Sequence, residues 1–270
     1  MVAIEQILKK IENSQVVKEP FEHIIIDNLL PAPFYNKLSQ ELDNSLFCKQ
    51  SYIKGNYGGS FRFAVDITDY SSWRSSKETM PTKIHQHNYN LLSSEANSGN
   101  IKLFFDLFIQ NQESLYQTLC TKISSRKVQD NYFFHASVVQ DSKGYSVSPH
   151  TDDEQNIFTI LFYAPTTQQN KQFGLRMGKE MNVRIGPHQM PLNEYRNNQE
   201  IISWLAAEAG QDIKHCIKQP TTIDFVPNRM IIFAPTKPAN NKIATWHEVK
   251  KVTEELVGTR NSFQMFYYKD

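Results

Sequence analysis

This 270-residue chain contains few cysteines and almost no excess of positive or negative charge. The three cysteines, Cys48, Cys120 and Cys216, are an odd number without the close spacing of a metal site. Neither a disulfide framework nor a cysteine-bound metal is therefore expected. The 29 basic and 28 acidic residues leave a net charge of only +1. This balance predicts no nucleic-acid partner and no attraction to an anionic membrane.

Long apolar runs are lacking as well. Residues 1–14 contain no apolar signal core, and no run in the chain approaches the length that crosses a membrane. We therefore expect a soluble, cytoplasmic protein. There is no internal repeat, low-complexity tract or interdomain linker, and 270 residues suit one large domain. The sequence does not indicate an oligomeric state.

The first 130 residues mix helical and strand patterns. Isoleucine and leucine recur at helical spacing in 2–14, and Pro31 opens a second helix. The periodicity also predicts strands at 21–27 and 61–67 and one long helix over 101–124. We expect residues 1–130 to support a core formed by residues 131–270.

From residue 131 the apolar period changes to two, which is typical of strands. The predicted strands are 131–140, 144–149, 157–163, 172–177, 221–226, 229–234, 243–249 and 260–268. About eight short strands with turn residues between them predict a mainly β protein with flanking helices and a double-stranded β-helix, or jelly roll, of the cupin kind. The polar segment 178–220 interrupts the pattern, and a helix is predicted at 198–209. This insertion is either a lid over the site or a surface decoration.

Two histidines and an aspartate form a candidate metal site. His150 and Asp152 point to the same face of an extended strand, because side chains two apart share a face. With the distant His247 they have the composition of the facial triad of non-heme iron oxygenases. About one His-x-acid pair is expected by chance in this composition, so the pair alone would fit a surface turn equally well.

A candidate anion site follows the second histidine. Arg260 and Ser262 lie thirteen and fifteen residues after His247 and share one face of an apolar strand. A guanidinium fork beside a hydroxyl group suits a bound carboxylate. Arg260 could alternatively be a solvated edge charge, although an arginine that opens an apolar, aromatic strand more often has a partner.

The order of these motifs resembles the 2-oxoglutarate/Fe(II)-dependent dioxygenases, and within them the prolyl-4-hydroxylase-like branch. It runs from His150-x-Asp152 through the Pro227-x-x-Arg229 segment to Trp246-His247-x-Val249 and Arg260-x-Ser262. The resemblance covers 131–270, and 21–27 more loosely. Two features depart from it: a single glycine, Gly174, replaces the usual pair, and the loop before Arg260 is slightly long.

The resemblance implies a role for each motif residue. His150, Asp152 and His247 would bind Fe(II) and serve catalysis, while Arg260 and Ser262 would hold the distal carboxylate of 2-oxoglutarate. A tyrosine on a neighbouring strand would also contact this co-substrate, since a buried phenol needs a polar partner. Tyr132, Tyr145 and Tyr163 are candidates that the sequence does not distinguish. We name Tyr145 as the predicted contact to 2-oxoglutarate.

The implied reaction is hydroxylation of an unactivated C–H bond, with O2 as a further co-substrate, release of succinate and CO2, and ascorbate as an accessory reductant that the family admits. The substrate would be a small molecule or a peptide: peptidyl proline, a free amino acid, a sugar or a natural product. Two alternatives stay open. One is a non-catalytic jelly-roll binding module, and the other is a cupin-type metalloenzyme that does not use 2-oxoglutarate.

Overall fold

The computed structural model describes residues 3–44, 61–68, 84, 86–91, 99–123, 131–152, 155–185, 188–191, 213–236 and 244–269. The helices are Ile4–Asn13, Ala32–Asn44, Gln86–Leu91, Asn100–Ile109 and Gln112–Lys122, with a 3-10 helix at Gln168–Phe173. The strands are β1 Val16–Val17, β2 His23–Ile26, β3 Arg62–Asp66, β4 Tyr132–Asp141, β5 Val147–His150, β6 Asn156–Tyr163, β7 Leu175–Gly178, β8 Met181–Ile185, β9 His188–Pro191, β10 Ile213–Ile217, β11 Thr221–Ile223, β12 Arg229–Phe233, β13 Trp246–Val249 and β14 Arg260–Lys269.

The predicted helix over 101–124 is two helices, with a break at Asn111. The Asn111 side chain donates to the Leu107 carbonyl at 2.8 Å, which ends the first helix in place of a backbone hydrogen bond. Its own carbonyl then accepts from the Leu115 amide at 3.0 Å and begins the second helix. Asparagine disfavours helix interiors for this reason, and the apolar periodicity concealed the break.

Two antiparallel sheets form the core. The larger has the order β1-β2-β12-β6-β14-β4-β3, and the smaller has the order β11-β7-β13-β5. From β4 onward the chain crosses from one sheet to the other at almost every connection, and β4, β14, β6 and β12 face β5, β13, β7 and β11. This alternation is the double-stranded β-helix, so the predicted fold class is confirmed.

Each face of the large sheet is buried against a different layer. Its outer face packs on the N-terminal helices. The centroid of the Phe104 ring lies 4.2 Å from the Phe263 ring centroid and 5.1 Å from the Phe162 ring centroid. Its inner face, with Leu161 and Phe233, packs against the small sheet. Burying one such phenylalanine stabilises the fold by about 1.5–3 kcal/mol. The helices therefore brace the large sheet and leave its inner face to build the site.

The insertion at 178–220 contains strands where the sequence indicated none. β8, β9 and β10 form a separate three-stranded sheet in the order β10-β8-β9. Ile217, at the end of β10, packs with Met181, Ala244 and Trp246. The insertion therefore rests beside the strand that carries His247. The predicted helix 198–209 lies outside the described residues. None of the helices in the described ranges is long and apolar enough to span a membrane.

Candidate functional site

The strand pairing brings the two predicted metal-binding histidines side by side. β13 and β5 are antiparallel, His247 lies directly opposite His150, and their ring centroids are 4.2 Å apart. His150 Nδ1 lies 2.9 Å from the Ser148 carbonyl, and His247 Nδ1 lies 3.0 Å from the Thr245 carbonyl. Because a carbonyl oxygen only accepts, each Nδ1 carries a proton, which leaves Nε2 as the nitrogen that each ring offers to a metal.

Asp152 completes the cluster. Its Oδ1 lies 3.3 Å from His247 Nε2 and 3.7 Å from His150 Nε2, and all three ligand atoms lie within 4.8 Å of one another. Metal bonds of about 2.1 Å at right angles separate neighbouring donor atoms by about 3 Å. The cluster therefore needs only a small contraction to hold one ion on one face of its coordination sphere.

The second oxygen of Asp152 is fixed by polar neighbours. Thr159 Oγ1 donates to Oδ2 at 2.5 Å, and Asn156 Nδ2 donates to the same oxygen at 3.3 Å. Asn156 also donates to Thr159 Oγ1 at 2.8 Å. These bonds hold the carboxylate so that Oδ1 faces the two histidines, as a ligand that binds metal through one oxygen requires.

The protonation states suit a cation. Burial, and then the positive charge of a protonated His247, lower the pKa of His150 to about 4. Burial alone would raise the pKa of Asp152, but interactions with His247 and the Thr159 hydrogen bond outweigh it and lower that pKa to about 2. Burial opposes protonation of His247, but Asp152 raises its pKa overall. A bound metal would displace that proton and take the place of the imidazolium charge.

The triad opens into a cavity of about 350 Å³ that also contains the predicted anion-binding arginine. Its apolar walls come from both sheets: Val147, Leu161, Leu175 and Val249. Gln264, Phe266 and Tyr268 line it along β14, and Arg62, Tyr145 and Arg260 line it as well. A cavity of this size, in which apolar walls meet convergent polar and charged groups, suits a small polar ligand.

The Arg260 side chain is buried, and two of its three nitrogen atoms donate hydrogen bonds within the protein. Its Nη1 donates to Asp141 Oδ2 at 2.8 Å and its Nε donates to the Phe173 carbonyl at 2.8 Å. The fully buried Asp141 accepts from a second arginine, since Arg62 Nε and Nη2 donate to its two oxygens at 2.7 and 3.1 Å. Asp141 is paired directly with Arg62 on one side and with Arg260 on the other, across β3, β4 and β14. One carboxylate therefore lies between two guanidinium groups.

Tyr145 and Ser262 lie in this part of the molecule with unused hydroxyl groups. Within the described ranges, neither hydroxyl has a hydrogen-bond partner, although both are buried. The guanidinium of Arg62 lies 4.3 Å above the Tyr145 ring, and burial raises the pKa of that tyrosine. Ser262 shares the strand face of Arg260, but it does not line the cavity. A buried hydroxyl without a partner is costly, so the Tyr145 hydroxyl, which lines the cavity, favours a polar ligand there.

The other two candidate tyrosines differ in position. The Tyr163 ring packs beside Arg260, whose guanidinium lies 5.5 Å from the ring centroid, and its buried hydroxyl also has no partner among the described residues. Tyr132 lies on the opposite face of the large sheet, where its ring is 4.2 Å from that of Tyr116. The structure therefore places Tyr145 and Tyr163 on the site side of the sheet and Tyr132 on the helix side.

The motifs did not identify several polar residues of this site, among them Arg62, Asp141 and Thr159. Thr159 had a recognisable signal, because it is a polar residue within the apolar run from Ile157 to Phe162. Asp141 had a weaker one, as an acid that directly follows an apolar strand. Arg62 had none, since only the register of β3 against β4 brings it to Asp141.

Comparison with known proteins gives similarities in structure alone. No family model matches the chain, and no curated protein matches its sequence. A prolyl-4-hydroxylase from Pseudomonas putida is similar with 11% identity and a TM-score of 0.46, over 98% of this chain and 97% of that one. An oxidoreductase of the 2OG-Fe(II) oxygenase family from Burkholderia pseudomallei has 11% identity and a TM-score of 0.37, over 77% and 67%. IDO from Bacillus thuringiensis has 13% identity and a TM-score of 0.41, over 98% and 99%. Similarities at this level do not establish a family.

Proposed function

We propose that this protein is an Fe(II)- and 2-oxoglutarate-dependent dioxygenase of the prolyl-4-hydroxylase-like branch, which hydroxylates an unactivated C–H bond. The observation that carries the proposal is the meeting, in one cavity, of the His150–Asp152–His247 cluster with the guanidinium groups of Arg62 and Arg260. Two imidazoles and one carboxylate leave positions open on a ferrous ion for further ligands. A binding module without catalysis has no use for such a cluster beside a cationic pocket.

The charges of the cavity fit a divalent metal together with a dicarboxylate. Arg62 and Arg260 carry two positive charges, Asp141 and Asp152 carry two negative charges, and both triad histidines are neutral when they bind a metal. Glu248 also lines the cavity, but it is paired with Arg176. A divalent ion would leave an excess of +2, which the two carboxylates of 2-oxoglutarate would neutralise.

The chain's own residues would divide the work. His150 Nε2, His247 Nε2 and Asp152 Oδ1 would hold the metal, and Thr159 would keep Asp152 aligned. Iron and 2-oxoglutarate, when bound, supply the activation of O2 that oxidises the substrate and releases succinate and CO2.

The distal carboxylate of 2-oxoglutarate would lie at the guanidinium end of the cavity. Arg260 would contribute donors there, and the hydroxyls of Tyr145 and Ser262 would gain the partner that they lack among the described residues. The apolar walls would exclude water from the reacting groups. The substrate is a small molecule or a peptide, namely peptidyl proline, an amino acid, a sugar or a natural product. We propose a cytoplasmic location and no nucleic-acid or membrane partner.

The test is succinate formation by protein loaded with Fe(II), given O2 and 2-oxoglutarate, against pools of peptides, amino acids, sugars and natural products. We expect succinate to form in step with a product that is heavier by one oxygen atom. The His150→Ala/His247→Ala double variant is the inactive control. A protein that binds Fe(II) and turns over a pool without making succinate would instead be a cupin-type metalloenzyme, and one that binds no metal would be a binding module.

A further inference from the structure

The two arginines of the cavity differ in how accessible they are. The side chain of Arg260 is 3% exposed, whereas that of Arg62 is 18% exposed, although both are bound to the fully buried Asp141. The arginine that the sequence motif indicates is therefore the less accessible of the two. A ligand that enters the cavity finds Arg62 more open.

Both guanidinium groups keep donors for a further partner. A guanidinium has five N–H groups, and Arg62 uses Nε and Nη2 on Asp141. Its Nη1 has no acceptor among the described residues. Arg260 uses Nη1 on Asp141 and Nε on the Phe173 carbonyl, a backbone anchor that Arg62 does not have. Each arginine therefore keeps one complete NH2 group, Nη1 on Arg62 and Nη2 on Arg260, and that of Arg62 belongs to the more exposed side chain.

The charge at this end of the cavity is not balanced. A single carboxylate, Asp141, faces two guanidinium groups, so one positive charge is left in a largely buried place. An unpaired buried charge is strongly unfavourable, and a second carboxylate is the group that would relieve it. The Arg62 guanidinium also lies 4.3 Å from the centroid of the Tyr145 ring, which lines the same cavity.

We propose that Arg62 is a carboxylate-binding residue of this cavity, which receives the acidic end of the ligand together with Arg260 while Asp141 keeps both guanidinium groups in place. The identity of that ligand, 2-oxoglutarate, rests on the function proposed above. The assignment of Arg62 does not rest on a sequence motif. It rests on the row of three charges across β3, β4 and β14.

The test compares two 2-oxo acids in calorimetric titrations of the Mn(II)-loaded protein, in which no turnover occurs. One is 2-oxoglutarate, and the other is 2-oxobutyrate, which keeps the metal-chelating end but lacks the distal carboxylate. We expect Arg62→Gln to weaken 2-oxoglutarate about tenfold or more, equivalent to about 1.4 kcal/mol. The affinity of Arg62→Gln for 2-oxobutyrate should stay within about twofold of that of the unchanged protein. Arg62→Lys should recover part of the lost affinity for 2-oxoglutarate because it restores the charge.

The chain offers a matched control. Arg229 also donates Nε and Nη2 to both oxygens of one aspartate, Asp27, at 2.6 and 2.9 Å, and its side chain is 18% exposed. It lies on the same large sheet but does not line the cavity. Arg229→Gln removes an ion pair of the same fork geometry, although its partner Asp27 is 53% exposed, and it should leave the affinity for both acids unchanged. If it weakens 2-oxoglutarate as much as Arg62→Gln does, or if Arg62→Gln weakens both acids equally, the proposal is overturned.

Asp141→Asn distinguishes direct ligand binding by Arg62 from a purely structural role. The quantity to compare is the rise in melting temperature that 2-oxoglutarate causes in the variant and in the unchanged protein. The substitution removes the shared negative charge and leaves two buried guanidinium groups facing each other, so the free protein should melt at a lower temperature. If Arg62 binds the ligand, 2-oxoglutarate should raise that melting temperature by more than it raises that of the unchanged protein. A smaller rise would mean that the charge row only maintains the fold, and would overturn the proposal.

The titration of the unchanged protein keeps this inference separate from the proposed function. If the Mn(II)-loaded protein does not bind 2-oxoglutarate, the proposed function is wrong and the ligand assigned to Arg62 is wrong with it. If it binds 2-oxoglutarate equally well with and without Arg62, the function stands and the assignment of Arg62 is wrong.

Discussion

Replacing Thr159 by valine removes the hydroxyl that donates to Asp152 Oδ2 at 2.5 Å and leaves the shape of the side chain almost unchanged. The variant also removes the acceptor of the 2.8 Å bond from Asn156, whose longer bond to Asp152 is kept. We expect the fold to survive and the affinity for a divalent metal to fall. The reason is that Asp152 would lose its closest support and would turn more freely away from the two histidines.

Two effects of opposite sign decide the magnitude. The Thr159 hydrogen bond is among the causes that lower the pKa of Asp152, so its loss makes the carboxylate more basic and a slightly better donor to a metal. Against this stands the loss of orientation. Removing an outer-shell partner of a ligand typically costs about 10- to 100-fold in metal affinity. Because Asn156 still holds Oδ2, we expect a loss near the lower limit, about tenfold.

The assay is a calorimetric titration of the metal-free protein with Mn(II) near neutral pH. Thr159→Ser keeps the hydroxyl and should bind the metal about as tightly as the unchanged protein. Thr166→Val is the matched control, because Thr166 also donates to a carboxylate, that of Asp43 at 2.8 Å, outside the cavity. An Mn(II) affinity that is the same in Thr159→Val and in the unchanged protein would refute the idea that Thr159 aligns a metal ligand.

Four further outcomes are expected. His150→Ala/His247→Ala should abolish the binding of one Mn(II) per chain with little change in melting temperature, and undiminished affinity in calorimetry would contradict the metal site. Arg260→Lys should raise the Michaelis constant for 2-oxoglutarate by about ten- to hundredfold despite keeping the charge, because the fork is lost; an unchanged constant would exclude that role. Burial lowers the pKa of His135 below 6.5, so the unfolded chain takes up the proton first and stability should fall as the pH drops through 6.5; the fall in melting temperature should be smaller in His135→Gln. Trimming the insertion 178–220 to a short turn should raise succinate production relative to hydroxylated product if the insertion shields the site, whereas unaltered coupling would leave it a surface decoration.

Local patterns in the sequence were enough for much of the fold and for the cluster of His150, Asp152 and His247. Period-two alternation is set by the pleat itself, so it marked the core strands within a few residues. The same pleat places His150 and Asp152 on one face. The three strands of the insertion were missed, although Met181-Asn182-Val183-Arg184-Ile185 of β8 alternates apolar and polar residues; β9, His188–Pro191, has no such alternation to mark its pairing. The helix break at Asn111 was missed as well, because it depends on one side-chain hydrogen bond.

The polar residues around the metal cluster could not be found from motifs because their positions depend on long-range register. Arg62, Asp141 and Arg260 are far apart in sequence, and they meet only because β3, β4 and β14 pair at these positions. A slip of one residue between β4 and β14 would turn Asp141 to the opposite face, where the helices pack. Arg260 would then lose its carboxylate partner. The register that the apolar residues on the outer face of β14 enforce, Phe263 among them, therefore also assembles the charge row on its inner face.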